Sequence, residues 1–191
     1  MHEEEIKILI VASEFNSFVT NSLVEGARAV LKSPAALEKL SGLRIVEKTC
    51  WVPGAFELPS ACAKAASLGT WDAIIALGCV IQGETPHFQY ICQAVAQGLC
   101  SVGVQYKIPV IFGVLTTDTV EQALARSRQS SESLLSIPPE HTGQAHNNNA
   151  PTKVTCSHKG EEAAQTALSM IRLFRNLDLS SAGATCHHPE S

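Results

Sequence analysis

The chain lacks several features, and each absence narrows what it can be. No apolar run approaches the ~20 residues that a membrane-spanning helix requires, which excludes a helical membrane protein. There is no basic surplus: 14 Lys and Arg stand against 18 Asp and Glu, for a net charge of −4. Without a basic footprint, no nucleic-acid partner is expected. The opening residues, Met-His-Glu-Glu-Glu, have neither the apolar stretch of a secretory signal nor the arginines of a transit peptide. None of the seven cysteines has CxxC spacing, the count is odd, and most fall in apolar segments. Reduced, mostly buried thiols are therefore expected, in a reducing and hence cytoplasmic setting. No internal repeat is visible.

What is present fits one domain. The 191 residues are 45% apolar, enough for a core. Residues 6–12 (IKILIVA) are nearly all apolar and read as a strand covered on both faces. A helix follows to about Lys32, with Phe18, Leu23, Ala27, Val30 and Leu31 on its apolar side. Pro34 and Gly42 punctuate a loop or short helix. Residues 44–51 make a second strand, Pro53-Gly54-Ala55 a turn, and residues 57–68 a helix ended by Gly69. Residues 73–81 form a third strand, with a helix from about Pro86 to Gln105. Residues 109–115 (PVIFGVL) are the fourth strand. The threonines before Val120 cap a helix expected to reach about Leu135. Residues 136–157, with three prolines and three successive asparagines, read as a long mobile loop. Residues 160–177 are the last helix, with Ala163, Ala167, Met170, Ile171 and Phe174 inward, and 179–191 a disordered tail. Strands alternating with helices predict an α/β protein, a three-layer α/β/α arrangement around a four-stranded parallel sheet.

The most informative stretch is residues 77–90, LGCVIQGETPHFQY. It joins a buried strand to a helix through Gly83, Glu84 and Thr85. Thr85 suits the N-cap and Pro86 the first helical position. A strand, a glycine turn and a helix N-terminus together present backbone amides to an anion. His87 sits in the same turn and places a proton-transfer group beside that anion site. In a parallel sheet, ligands bind outside the carboxyl ends of the strands. The loops there carry Phe15-Asn16, the Pro53–Glu57 turn, residues 82–87 and Thr116-Thr117. A flat polar ring substrate plus a phosphate suits two aromatic rings, backbone donors, an anion site and a histidine.

Six segments in order carry a resemblance: FN at 15–16, VPGAFELP at 52–59, GETPHFQY at 83–90, PVIFGVLTTD at 109–118, EQALAR at 121–126 and HKG at 158–160. From about Ile6 to Leu177 the chain resembles the lumazine synthase family, whose fold is flavodoxin-like. That resemblance implies a cofactor-free, metal-free transferase of riboflavin biosynthesis. Its reaction condenses 5-amino-6-(D-ribitylamino)uracil with 3,4-dihydroxy-2-butanone 4-phosphate to 6,7-dimethyl-8-ribityllumazine, with loss of phosphate and water. It implies His87 as the proton-transfer residue and Arg126 as the cation on the phosphate. Phe15 would stack on the pyrimidine, while Gly54, Ala55, Phe56 and Glu57 hold the ribityl chain. Val80 and Ile81 would offer backbone contacts to the uracil, and Glu84 and Thr85 would belong to the phosphate site. Phe112 would enter from the neighbouring subunit, and Lys159 would stand beside the ring edge.

Three departures from the family pattern are visible. Glu14 stands where a basic residue is usual. Few residues precede Ile6. Arg126 and Lys159 lie 33 positions apart, which marks 136–157 as an insertion. Its His141, His146 and Cys156, with His158, match no short zinc spacing, so no metal site is expected. Small-molecule substrates and a homopentamer that stops short of a 60-subunit shell are the expected partners. An archaeal-type riboflavin synthase and a non-catalytic flavin-binding or shell-forming member are the competing readings. The intact PGAFE and PHF motifs oppose the first, and the presence of both His87 and Arg126 opposes the second.

Overall fold

The computed structural model describes residues 5–128 and 158–182. Four strands, β1 (Glu5–Ser13), β2 (Arg44–Val52), β3 (Ala73–Ile81) and β4 (Val110–Thr117), form one sheet in the order β2-β1-β3-β4. Every pairing is parallel: Ala12 lies beside Leu77, and Leu77 beside Gly113. The helices are α1 (Ser17–Leu31), α2 (Pro34–Lys39), α3 (Leu58–Ala66), α4 (His87–Tyr106), α5 (Val120–Ser127) and α6 (Lys159–Ala182). This is the expected three-layer α/β/α arrangement.

The layers follow from the strand sequences. Ile6, Ile8, Ile10 and Ala12 of β1 point to one side, with Ala73, Ile75, Leu77 and Cys79 of β3. Leu9 and Val11, with Ile74 and Ala76, point to the other. Both sides are apolar, so both need cover. The first is packed by buried residues of α1, α2, α5 and α6, and the second by α3 and α4. Each fully buried Ile or Leu contributes about 1.5–3 kcal/mol, and the two central strands supply most of them. Cys62 and Cys79 are buried free thiols, Cys50 and Cys92 are half-buried, and Cys100 is exposed. Among the described residues no helix is long and apolar enough to cross a membrane.

Local signals set most boundaries. Ser33 caps α2, its hydroxyl accepting from the Ala36 amide at 3.3 Å, with Pro34 next to it. Thr119 caps α5 in the same way through the Gln122 amide at 3.2 Å. Gly69, at φ 63°, turns the chain after α3. Two ends differ from the sequence reading. Helix α5 stops at Ser127 rather than near Leu135, and Arg128 is extended. The Leu124 carbonyl accepts the last helical bond from the Arg128 amide at 3.1 Å, and the Ser127 carbonyl beyond it is taken by the Ser22 hydroxyl in place of a further turn. Helix α6 runs to Ala182, so residues 179–182 extend it instead of belonging to a tail. After Gly160 in its first turn, the sequence has no glycine or proline before Gly183. The 136–157 loop, with His141, His146 and Cys156, lies outside the described residues.

Helices α1 and α6 meet closely. A Cβ on Gly160 would collide with the backbone carbonyl of Leu23. Backbone cannot yield there as a side-chain tip can, so Gly160→Ala must push the two helices apart. Overpacking of this kind costs about 1–3 kcal/mol. Urea denaturation of Gly160→Ala is expected to show a lower midpoint with an unchanged slope.

Candidate active site

The site begins where β1, β2 and β3 end. The Glu14 amide donates to the Val52 carbonyl at 2.8 Å and the Phe15 amide to the Pro53 carbonyl at 3.1 Å. Asn16 then takes a left-handed conformation, φ 60° and ψ 39°. Asparagine tolerates that region better than most residues. Its side-chain amide donates to the Cys79 carbonyl at 2.9 Å, which ties the end of β1 to the end of β3. The turn leaves the Phe15 ring 70% exposed over the strand ends. Opposite it, residues Ala55–Glu57 form a short 3-10 turn, and Phe56 is likewise exposed.

Beyond β3 the chain runs through exposed residues 82–87 into α4. Thr85 does not cap this helix. Pro86 occupies the cap position at φ −63°, ψ −4°, His87 is the first helical residue, and no side chain caps the helix. The boundary lies one residue later than expected: the first turn closes on Pro86, whose carbonyl accepts from the Gln89 amide at 3.0 Å. The first-turn amides keep no side-chain partner, which is what an incoming anion requires.

These segments enclose a cleft of about 410 Å³. Phe15, Gly54, Ala55, Phe56, Glu57, Val80, Ile81, Thr85 and His87, all named from the sequence, line it. Glu84 is exposed on the same turn and is not among the lining residues. Gly83, from the expected 82–87 turn, lines it too; Cys79, Phe88 and Ile91 also line it and were not anticipated. Helical spacing held a signal for Ile91, four residues after His87 and so on the same face. Burial pushes the Cys79 thiol up to about 12, so it is a protonated wall rather than a nucleophile at neutral pH.

The remaining residues lie elsewhere. Phe112, Arg126 and Lys159 line a second cleft of about 600 Å³, along β4 and against α6. Thr116 belongs to this second cleft, and Thr117 is buried with its hydroxyl donating to the Thr119 carbonyl at 3.1 Å. The four strand-end loops therefore do not converge on one cavity within a chain. The cause is topological: β4 is an edge strand, and α5 and α6 fold back on the face opposite α4. In the second cleft the Arg126 guanidinium donates to the Gln122 carbonyl at 3.0 Å. Lys159 pairs with Glu162 at 2.6 Å, both partly exposed. Among the described residues no cluster of His, Cys, Asp and Glu could hold a metal ion.

Residues 5–175 match the family model of 6,7-dimethyl-8-ribityllumazine synthase. The chain belongs to that family. The match spans both clefts and all four strands, and it includes 136–157 within its limits. The family places the protein among transferases of riboflavin biosynthesis.

Two outcomes test this description. Asn16→Gly keeps the left-handed turn but loses the bond to Cys79, worth about 0.5–1.5 kcal/mol. Asn16→Ala loses that bond and adds roughly 1–2 kcal/mol of backbone strain. The order of urea midpoints is expected to be wild type, then glycine, then alanine.

The second outcome concerns pH. Burial raises the Cys62 and Cys79 thiols from 9.0 to about 12. The folded state keeps protons that the unfolded state releases, so this contribution is complete below pH 9 and fades as pH rises from 9 toward 12. The urea midpoint of Cys79→Ala is expected to fall less than that of wild type between about pH 8 and 10.5.

Proposed function

We propose that the protein is a 6,7-dimethyl-8-ribityllumazine synthase. It joins 5-amino-6-(D-ribitylamino)uracil to 3,4-dihydroxy-2-butanone 4-phosphate and releases phosphate and water. One observation carries the reading: the clefts are complementary halves. The first has aromatic rings, a histidine and an uncapped helix start, but no lysine or arginine among its lining residues. The second has Arg126 and Lys159 beside the exposed Phe112. A phosphate-bearing substrate needs both, and a second copy of the chain can bring them together.

In this reading Phe15 stacks on the pyrimidine, and the backbone at Val80 and Ile81 reads its polar edge. Gly54, Ala55, Phe56 and Glu57 hold the ribityl hydroxyls. Thr85 and the first-turn amides of α4 hold the phosphate, with Glu84 at the rim. Arg126 of the adjacent copy adds the charge-assisted contact, and Phe112 and Lys159 close the ring edge. Holding amine and ketone together removes translational freedom before bond formation. His87 moves the protons needed to dehydrate the carbinolamine and close the ring. Departing phosphate is stabilised by Arg126 and the amides.

Assembly is part of the proposal. Helix α4 has twenty residues and no charged one, and its exposed positions include Tyr90 and Val104. An uncharged exposed face supports contact with further copies. We place five copies in a closed ring of about 100 kDa, from chains of 20.4 kDa. A cytoplasmic setting accords with cysteines that show no CxxC spacing.

The test is lumazine formation from the two purified substrates, followed by fluorescence. Arg126→Ala is expected to raise the Michaelis constant for the butanone phosphate about tenfold to a hundredfold, the equivalent of about 1.5–3 kcal/mol. His87→Ala is expected to slow turnover by about a hundredfold. Co-expressing the two variants should rebuild about a quarter of the sites, those pairing an intact His87 with a neighbour's intact Arg126. Recovery no greater than the sum of the separate variants would sink the shared site. No lumazine from the wild-type chain would sink the enzyme.

A further inference from the structure

His158 has no part in the chemistry above, yet it is buried, at 6% exposure. It stands immediately before α6 and packs on α1 at Gly26. A Cβ on Gly26 would overlap the imidazole, so the glycine is a notch that the ring fills. The ring also caps the helix: the Glu161 amide donates to Nδ1 at 3.4 Å. That bond needs a lone pair on Nδ1, which puts the ring proton on Nε2. The His158 carbonyl accepts from the Glu162 amide at 3.1 Å. Two residues on, Gly160 is pressed against the Leu23 carbonyl. Lys159 is thus flanked by two residues seated against α1. Its own amine extends to the β4 cleft and pairs there with Glu162 at 2.6 Å.

We infer that His158, seated in the Gly26 notch, is a positioning residue that sets where the Lys159 amine stands in the β4 cleft. The importance of that placement for substrate rests on the reading of Lys159 given under Proposed function. The mechanism is geometric. A helix start held on both sides of Lys159 can neither slide nor rotate, so the amine samples a small arc. If the ring is expelled from the notch, the first turn loses a cap and a contact together. The amine then leaves Glu162 for solvent. A buried histidine that merely fills space makes a different prediction, because loosening it would lower stability without moving Lys159.

The experiment compares the full chain with Gly26→Ala, His158→Asn and the double variant Gly26→Ala/His158→Asn. Asparagine keeps a cap acceptor while freeing the space that an alanine at 26 would occupy. The main readout is the rate at which trinitrobenzenesulfonate labels Lys159, measured by peptide mass spectrometry, with urea midpoints alongside. Gly26→Ala is expected to label at least fivefold faster than wild type. His158→Asn is expected to stay within twofold, and the double variant to return to that range. Where lumazine is formed, Gly26→Ala should also raise a substrate Michaelis constant with little change in turnover, and the double variant should restore it.

Labelling of Gly26→Ala within twofold of wild type overturns the inference, whatever happens to its stability. If Gly26→Ala fails to fold, the double variant decides. Folding with wild-type labelling supports the seat, and failure to fold or fast labelling overturns it. A wild-type chain that makes no lumazine would remove the proposed enzyme but leave the labelling result intact.

Discussion

From Ile8 to Ser13 in β1 and from Ala73 to Cys79 in β3, neither face of the sheet meets water. Residues Ile6 and Leu9–Ala12 of β1, with Ala73–Leu77 of β3, are buried on both sides of the sheet. Everything larger follows from that. Two covered faces need helices on both, and helices between strands make the sheet parallel. A parallel sheet sends every strand-to-helix loop out of one end. The order β2-β1-β3-β4 makes the connections diverge between β1 and β3, so a crevice opens there. Phe15, the PGAFE turn and His87 meet because the core leaves them no other place.

This explains how much was legible beforehand. Apolar runs identified β1, β3 and β4, partial alternation identified β2, and the threonines before Val120 marked the start of α5, because these signals act over a few neighbouring residues. Helix α2 was legible only as a loop or short helix between Pro34 and Gly42. The Thr85 cap failed because the first turn closes one residue later, on the Pro86 carbonyl. The end of α5 depends on the Ser22 hydroxyl, 105 residues away in sequence, which no local pattern encodes. The separation of Arg126 and Lys159 from His87 was hidden for the same kind of reason. It depends on which face α5 and α6 choose after an edge strand. Helical spacing could have added Ile91 to the cleft; Cys79 required knowing how far β3 continues before its side chains reach open space.

The two clefts are built with different degrees of firmness. The first is anchored through backbone and through the Asn16 amide, which spans the ends of β1 and β3. Its rings are exposed but their stems are fixed. The second depends on the seat of α6 against α1, where glycines allow helix axes to approach. Proton transfer tolerates little displacement, so the first residue of a long helix suits the role proposed for His87. Charge contacts reach further and tolerate more, and those are the contacts assigned to the second cleft.

Beyond His87, helix α4 presents a surface of glutamine, serine, alanine, cysteine, tyrosine and valine to the outside. A contact formed by such a surface has no charges for salt to screen. Its strength comes from apolar area and neutral hydrogen bonds. It therefore holds across a wide range of ionic strength, tightens in sulfate, and loosens in the cold, where apolar burial weakens. For the assembly proposed above, temperature and salting-out ions, rather than sodium chloride, are the expected controls.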